Sequence, residues 1–600
     1  MKDDFLKNFL KKLGWQEWGL LVAIIIVVYT QFSIFSIFQQ LPGPLYGGDY
    51  YYHYGHMLHI YDGGSVFENS NYLNEYEYYP WFLHLSVASI SKITLTSPLN
   101  LMIFFPLIIT IIAGIVTYFL GIKLFGNKTV ALLASFAWMI YDIPATTPTS
   151  FGTKLLIPAI VLGFIYADSL KTRIIAGILY GIGGISHVTI FLGTSLFLAL
   201  FFIYRAYSSK KENKKLPLTE ILKKEIIFLI PILIIGILIA MLYWAPPIFA
   251  YHGKTLNPWQ EYTVSGISAT SVLSYLFDTL KLQFFNLSGA FFLIFSLISL
   301  LGLYISAKKR KFFYIPLLIF FVGILGILHP LITSPLIKTS FGYYRFAMFL
   351  NVSAMLFFGI GILALQNSFR GIKSKTAVTI ISAILLLLLM QNVYADYKEN
   401  QWVKVGQNLE GVTEAWFTMS GYIRQATDVN DVFIATHGET AFALNAVTGR
   451  KVVFMRSTHA SPYVDINQRT ADSAIILYGS NSQLRNELVG KYGIKYLIED
   501  IYSIQNIQQC LQNWQSFSNP QYSDLSYVCL RVSPDYGDYL RENGIEFQKV
   551  NARIDVASNT APKFELLAIK PSEIKLRATP LKSIVAQENI TVINFSAVNI

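Results

Sequence analysis

The sequence predicts a polytopic α-helical membrane domain of about eleven transmembrane helices, followed by a C-terminal extracytoplasmic α/β domain that ends in a β-rich part. Three observations predict it. Hydrophobic residues make up 53% of the 600-residue chain and charged residues only 14%, where a soluble protein carries about 25% charge. Long apolar runs recur up to residue 395, and about 20 apolar residues cross the hydrocarbon of a bilayer. Beyond residue 396 those runs stop and short alternating stretches replace them, the pattern of half-buried strands.

The expected spans are 18–38, 101–121, 129–142, 154–168, 174–187, 189–206, 225–248, 287–306, 313–333, 346–365 and 376–395. The first follows a Lys-rich start and lacks a small-residue cleavage site, so it reads as a retained span. The formal charge of +11 would suggest nucleic acid in a soluble protein. Here the basic residues sit in short loops: Lys123 with Lys128, Lys210 to Lys215, Lys308 to Lys311, and Arg370 with Lys373 and Lys375. These loops fall on alternate crossings, which is the positive-inside pattern, and membrane lipids rather than nucleic acid are the partner. The N-terminus is therefore expected in the cytoplasm and the region after the last span outside it.

Composition divides the chain into a membrane domain, 1–395, with a long first outer loop, 39–100; an α/β domain, 396–545; and a β-rich extension, 546–600. In the α/β domain, strands are expected from Asp431 to Ala435, from Lys451 to Met455 and after Tyr492, with helices over 413–426 and 469–478. The two cysteines, Cys510 and Cys529, form no CxxC pair, so a zinc site is not expected. Outside the cell they are either a disulfide or two free thiols.

Polarity concentrates in the outer loops, where binding chemistry usually resides. Asp49 follows Gly47 and Gly48 at the start of the first loop. A carboxylate there can coordinate a metal, hold a nucleophile or act as a base; a solvated loop aspartate is the alternative. His53 and His56 are three apart and Asp49 four residues before His53, so one helical face offers a carboxylate and two imidazoles, a set that suits a divalent transition metal. Packed interfacial side chains are the alternative there. Glu75 and Glu77 alternate with tyrosines ahead of Tyr78, Tyr79 and Trp81, an aromatic belt. Asp142 stands at the outer end of the third span and His187 at the turn between the fifth and sixth. Arg345, beside Tyr344, marks where the chain re-enters the membrane; its guanidinium can grip a phosphate by paired bonds or snorkel at the interface.

Other chemistries lack their signatures. There is no P-loop, no GxSxG, no HExxH and no lone carboxylate in mid-span.

The layout of a first span, a long outer loop with an early aspartate, many further spans and an outer C-terminal domain resembles the membrane glycosyltransferases of the GT-C fold. Within them it is most similar to the oligosaccharyltransferase catalytic subunit of the archaeal type. Gly47-Gly48-Asp49 resembles that family's first acidic motif, which implies that Asp49 is a catalytic carboxylate and a ligand of a divalent metal, Mg or Mn. His53, His56 and Asp142 are the further candidate metal ligands. Tyr344-Arg345 resembles the family's arginine that contacts the phosphate of a polyprenyl-linked donor. Glu414 to Arg424, the strand from Asp431 and Thr448-Gly449-Arg450 resemble its first elements after the membrane. Two departures stand out. The Trp-Trp-Asp-Tyr-Gly signature is replaced by Thr436-His437-Gly438-Glu439, and the second outer loop offers Asp142 where the family has a pair of acids.

The resemblance thus implies an integral membrane glycosyltransferase that moves a sugar or glycan from a polyprenyl-phosphate-linked donor to a protein, lipid or glycan acceptor. Glu75, Glu77, His187, His437 and Glu439 are candidates for the acceptor side of the site. The competing readings are a true oligosaccharyltransferase acting on Asn-x-Ser/Thr, and a non-enzymatic lipid-glycan transporter or envelope scaffold.

Overall fold

The computed structural model describes residues 13–42, 48–141, 146–257, 268–285, 290–333 except 309, 342–408 except 370, 414–435, 438–498, 531–550 except 533 and 546, and 566–569. Asp142, His437, Cys510 and Cys529 lie outside the described residues.

Every expected span falls on a helix. In chain order these are α1 (Trp15–Phe35), α4 (Pro98–Phe125), α5 (Lys128–Tyr141), α6 (Pro148–Ile165), α7 (Leu170–Gly184), α8 (Val188–Glu212), α9 (Leu218–Ala250), α11 (Ala290–Lys308), α12 (Arg310–Thr333), α13 (Ala347–Ser368) and α14 (Ile372–Glu399). Among the described residues nine of them are long and apolar enough to cross a membrane. The other two correct the expectation of eleven full spans. Helix α5 has 14 residues and α7 has 15, about 21 and 22 Å at 1.5 Å per residue. From Val130 to Ile140 every α5 residue except Leu132 is buried, so this short helix meets neighbouring helices more than lipid.

The boundaries follow local chemistry. At the start of α4 the side chain of Ser97 accepts from the Asn100 amide and Pro98 takes the first helical position. The helix ends at Gly126, whose φ of +63° is the left-handed cap that glycine adopts without strain.

The first outer loop is more ordered than its polarity predicts. Residues 39–100 contain two helices, α2 (Asp49–Tyr61) and α3 (Phe82–Thr94). Asp49 opens α2, where a carboxylate complements the positive end of the helix dipole. Tyr51 to His59 are all buried. The second polar stretch likewise contains a helix, α10 (Ala269–Phe284).

After α14 come α15 (Gln401–Asn408), α16 (Glu414–Ala426), β1 (Val432–Ala435), α17 (Gly438–Thr448), β2 (Lys451–Val452), α18 (Ile466–Tyr478), α19 (Ser482–Tyr492) and β3 (Ile494–Ile498). Strand β1 lies between β2 and β3, parallel to both. All four of its residues are buried, as expected of a central strand in a parallel sheet covered on both faces. Farther on, β4 (Arg531–Val532), β6 (Leu566–Ile569) and β5 (Phe547–Val550) pair antiparallel, with β6 in the middle.

Helix α2 joins the two halves. A Cβ on Gly55 would stand 2.8 Å from the Asn445 carbonyl, so only glycine lets α2 lie this close to α17. Gly449 has φ +67°, and a Cβ there would meet the His59 amide at 2.5 Å. Asp62, just past α2, accepts from Arg424 Nη2 at 2.6 Å and from Arg450 Nη1 at 2.7 Å. Arg450 is 2% exposed and also donates to carbonyl oxygens of Arg424, Thr427 and Thr448.

Removing the Asp62 carboxylate leaves two guanidinium groups short of their counter-ion. Asp62→Asn is expected to lower stability by about 3 kcal/mol, typical of breaking a buried pair on one side. Burial pushes the Asp62 carboxyl up, but Arg424 and Arg450 overrule it and hold the group below the ordinary carboxylate value. A depressed folded-state pKa contributes stability at neutral pH that is lost as pH falls through it, below about 4. Thermal unfolding of the detergent-purified protein should therefore show a steeper acid-side fall for wild type than for Asp62→Asn. Equal melting temperatures at pH 7 would contradict the assignment.

Candidate active site

Asp49, at the N-terminal end of α2, is exposed where the first outer loop meets the C-terminal domain. The Asp49 side chain is 76% exposed, and its Oδ1 accepts from His459 Nε2 at 3.1 Å. His459 closes a 3-10 turn, Ser457–His459, between β2 and α18. Its ring lies edge-on to Tyr52 and tilted over Phe442, and its carbonyl accepts from the Tyr78 hydroxyl at 3.0 Å. The hydrogen bond from His459 holds the Asp49 carboxyl below its ordinary value against the opposing effect of burial; the nearby charge of Arg345 acts in the same direction.

Arg345 stands nearby. It lies in a 3-10 turn, Tyr343–Phe346, that leads into α13. Its Nη1 lies 3.1 Å from His187 Nε2, and its guanidinium carbon stands 5.7 Å from the centre of the Tyr344 ring. Tyr79 is close to both groups: burial, chiefly, and the charge of Asp49 push its phenol up to about 12, while Arg345 draws it back. Asp49 and Arg345, nearly 300 residues apart in sequence, are thus brought near one another. Tyr344 is half-exposed beside them.

The other sequence candidates go elsewhere. His53 and His56 share a face with Asp49, as the spacing predicts, but that face emerges from the protein only at its first residue. His53 and His56 are 4% and 2% exposed and turn onto His84 of α3. His53 Nδ1 and His84 Nε2 are 3.0 Å apart, and the His56 and His84 rings stack with centroids 5.0 Å apart. Burial, reinforced by His56, takes His53 down to about 3, so its imidazole is neutral. Glu77 is buried against His56, with Oε2 3.4 Å from Nδ1, and accepts from the amides of Ser70, Tyr78 and Tyr79. Glu75 binds Arg469 at 3.0 Å and Tyr251 at 2.9 Å. Both glutamates thus fasten the first loop. Glu439 is bound 3.3 Å from Arg456, and burial raises its carboxyl.

The metal expectation is not met among the described residues. No three His, Cys, Asp or Glu side chains there converge as ligands. His53 and His56 are engaged by His84, Ser70 and Glu77, and one Asp49 oxygen by His459. Sequence reasoning missed His459, which lies 410 positions from its partner, and carried no signal for it beyond a histidine in a polar stretch.

No family model matches the chain. The uncharacterized protein MJ1080 of Methanocaldococcus jannaschii is 31% identical over 115 residues, which is 84% of that protein and 19% of this chain. A crystal structure of the Archaeoglobus fulgidus oligosaccharyltransferase, tethered to an acceptor peptide containing an NVT sequon, superposes with a TM-score of 0.50 at 13% identity, covering 86% of this chain and 72% of that one. ArnT from Cupriavidus metallidurans, bound to undecaprenyl phosphate, gives 0.46 at 12% identity over 94% and 100%; at that score it carries no weight. The oligosaccharyltransferase match shows the fold, and it agrees with the GT-C architecture expected from the layout of spans and loops.

The pairing of Asp49 with His459 has a measurable consequence. Because His459 lowers the Asp49 pKa, His459→Phe should raise it. Infrared difference titration of the carboxylate band, with Asp49→Asn as the subtraction control, should show the Asp49 transition at higher pH in the variant. An unchanged transition would mean that the contact does not form in solution.

Proposed function

We propose that this chain, which belongs to the family of the M. jannaschii protein MJ1080 and has the oligosaccharyltransferase fold, is a membrane glycosyltransferase. It transfers a sugar or glycan from a polyprenyl-phosphate-linked donor to an acceptor. What supports this reading is proximity: a carboxylate, Asp49, and a guanidinium, Arg345, lie near enough at one end of the bundle for each charge to act on the other and both on Tyr79. The positive-inside loops lie at the opposite helix ends, so the reaction is assigned to the extracytoplasmic side.

The chemistry follows from these groups. A sugar on a polyprenyl phosphate stays in the membrane, so its transferase must meet it at the interface. The acceptor attacks the anomeric carbon and the bond from that carbon to the phosphate oxygen breaks. The phosphate leaves with the electron pair, and Arg345 binds the resulting charge. Asp49, kept ionised and oriented by His459, positions the acceptor and receives its proton. The described residues do not make a metal site, and no step here runs through one.

The fold match also favours a second reading, an oligosaccharyltransferase proper, in spite of the missing Trp-Trp-Asp-Tyr-Gly signature. Incubating the lipid-linked glycan with a peptide bearing Asn-x-Ser/Thr separates the two: a glycopeptide supports the second reading, and transfer to other acceptors alone supports the first.

Asp49→Ala is expected to lower kcat by at least about 100-fold, the scale of a lost acid–base group, with membrane insertion intact. Arg345→Ala is expected to lose a similar factor, the scale of one electrostatic stabiliser of a transition state. Full transfer activity in a folded Asp49→Ala protein would overturn the proposal.

A further inference from the structure

The end of the membrane bundle opposite Asp49 carries basic side chains that meet no acid among the described ion pairs. Helices α7 and α9 both start at this end. At the other end the Trp244 indole of α9 donates to the carbonyl of Gly184, the last residue of α7, at 3.3 Å, and the Tyr243 hydroxyl reaches the Tyr78 carbonyl of the first outer loop at 2.6 Å. Helix α9 has no charged residue from Ile226 to Ala250. Lys223 and Lys224 therefore stand where its apolar run begins, at the depth of lipid head groups. Among the described ion pairs Lys128 goes to Glu17 at 2.7 Å and Arg205 to Glu225 at 2.6 Å, and none includes Arg173, Lys223 or Lys224.

Those three side chains line one recess of about 410 Å³ with Glu220 and Ile227. Its walls are fixed in place. The Arg173 guanidinium carbon stands 5.2 Å from the centre of the Phe228 ring, and its Nε and Nη2 donate to the carbonyls of Ala167 and Asp168 at 3.2 and 3.3 Å. A guanidinium has five N–H groups, so donors remain for a ligand. Glu225 is buried against Arg205 of α8. With Glu225 turned inward, Lys223 and Lys224 face out, and both are exposed.

Glu220, Lys223, Lys224 and Ile227 are spaced i, i+3, i+4 and i+7, so they share one face of α9. The same face continues into Ile230 and Ile234, which are 45% and 55% exposed. A basic recess thus opens directly onto an apolar surface. A water-soluble anion would leave the isoleucines uncovered, and an acyl chain alone would leave the cations unpaired. A molecule with an anionic head and a hydrocarbon tail meets both. The positive-inside rule accounts for the number of basic residues at this end, but it asks for no recess and no continuity with an apolar face.

We propose that Arg173, Lys223 and Lys224 bind the phosphate of an anionic membrane lipid whose chains run along Ile227, Ile230 and Ile234. Glu220 accepts from a hydroxyl of its head group. This site does not depend on the glycosyltransferase reading, because it lies at the other end of α7 and α9 from Arg345.

The test is native mass spectrometry of the full chain in a neutral detergent, titrated with phosphatidylglycerol and separately with glycerol phosphate. Wild type is compared with Lys223→Gln/Lys224→Gln and with Lys214→Gln/Lys215→Gln. The second pair removes the same charge from exposed positions outside the recess. Without lipid, all three proteins should melt at the same temperature. The Lys223→Gln/Lys224→Gln protein should bind phosphatidylglycerol about 30-fold more weakly than wild type, about fivefold for each basic residue removed near a membrane surface. The Lys214→Gln/Lys215→Gln protein should bind as wild type does. Equal losses in the two variants would mean that diffuse charge alone attracts the lipid, and would overturn the site. So would undiminished binding by Lys223→Gln/Lys224→Gln, or a wild type that does not prefer phosphatidylglycerol to phosphatidylcholine. Glycerol phosphate bound as tightly as the lipid would overturn the lipid assignment. Each of these outcomes leaves the glycosyltransferase reading standing.

Discussion

Asp62 accepts from both Arg424 and Arg450, and this junction fixes how α2 lies between the membrane bundle and the α/β domain. Everything at the site is referred to α2. Its C-terminal end is held by those arginines, its middle by the close approach to α17 that Gly55 permits, and its inner face by the packed imidazoles of His53, His56 and His84. Only the first residue, Asp49, emerges. A carboxylate at the end of a helix fixed along its length has little freedom, which is what a group that must orient a reacting acceptor requires.

The parts of this protein that repeat a simple rule were legible in its sequence. Apolar length and loop charge located every membrane helix, because one physical constraint, the bilayer, acts on each span separately. Arg345 could be singled out because it stands where a span begins, and Asp49 because it follows two glycines in the first outer loop. Pairings across long separations were not. Asp62 with Arg450, His53 with His84 and Asp49 with His459 depend on how the first loop packs against the C-terminal domain, and no local pattern records that packing. The helical spacing of Asp49, His53 and His56 was read correctly as one face, but among the described residues the two imidazoles on it meet His84 rather than a ligand set: spacing says which residues align, and burial decides what they meet. Hydropathy also says nothing of how far a short helix such as α5 is sheltered by its neighbours.

An aspartate and an arginine that lie near one another in a protein commonly pair with each other, and here they do not. Among the described ion pairs Asp49 goes to His459 and not to Arg345. Arg345 has Tyr79, Tyr344 and the edge of His187 beside it. A direct pair would satisfy both charges and leave nothing for a ligand; an incoming phosphate would first have to break it. Giving each charge a weaker partner of its own keeps them apart yet oriented before any substrate arrives, so little reorganisation is needed when charge develops. Tyr79 lies beside the guanidinium without neutralising it, because its phenol stays protonated. His459 similarly supports Asp49 with a single hydrogen bond and leaves the second carboxylate oxygen exposed. Under the proposed function, the separation of these two charges, more than either residue alone, leaves a place for a phosphate beside Arg345 and for an acceptor beside Asp49.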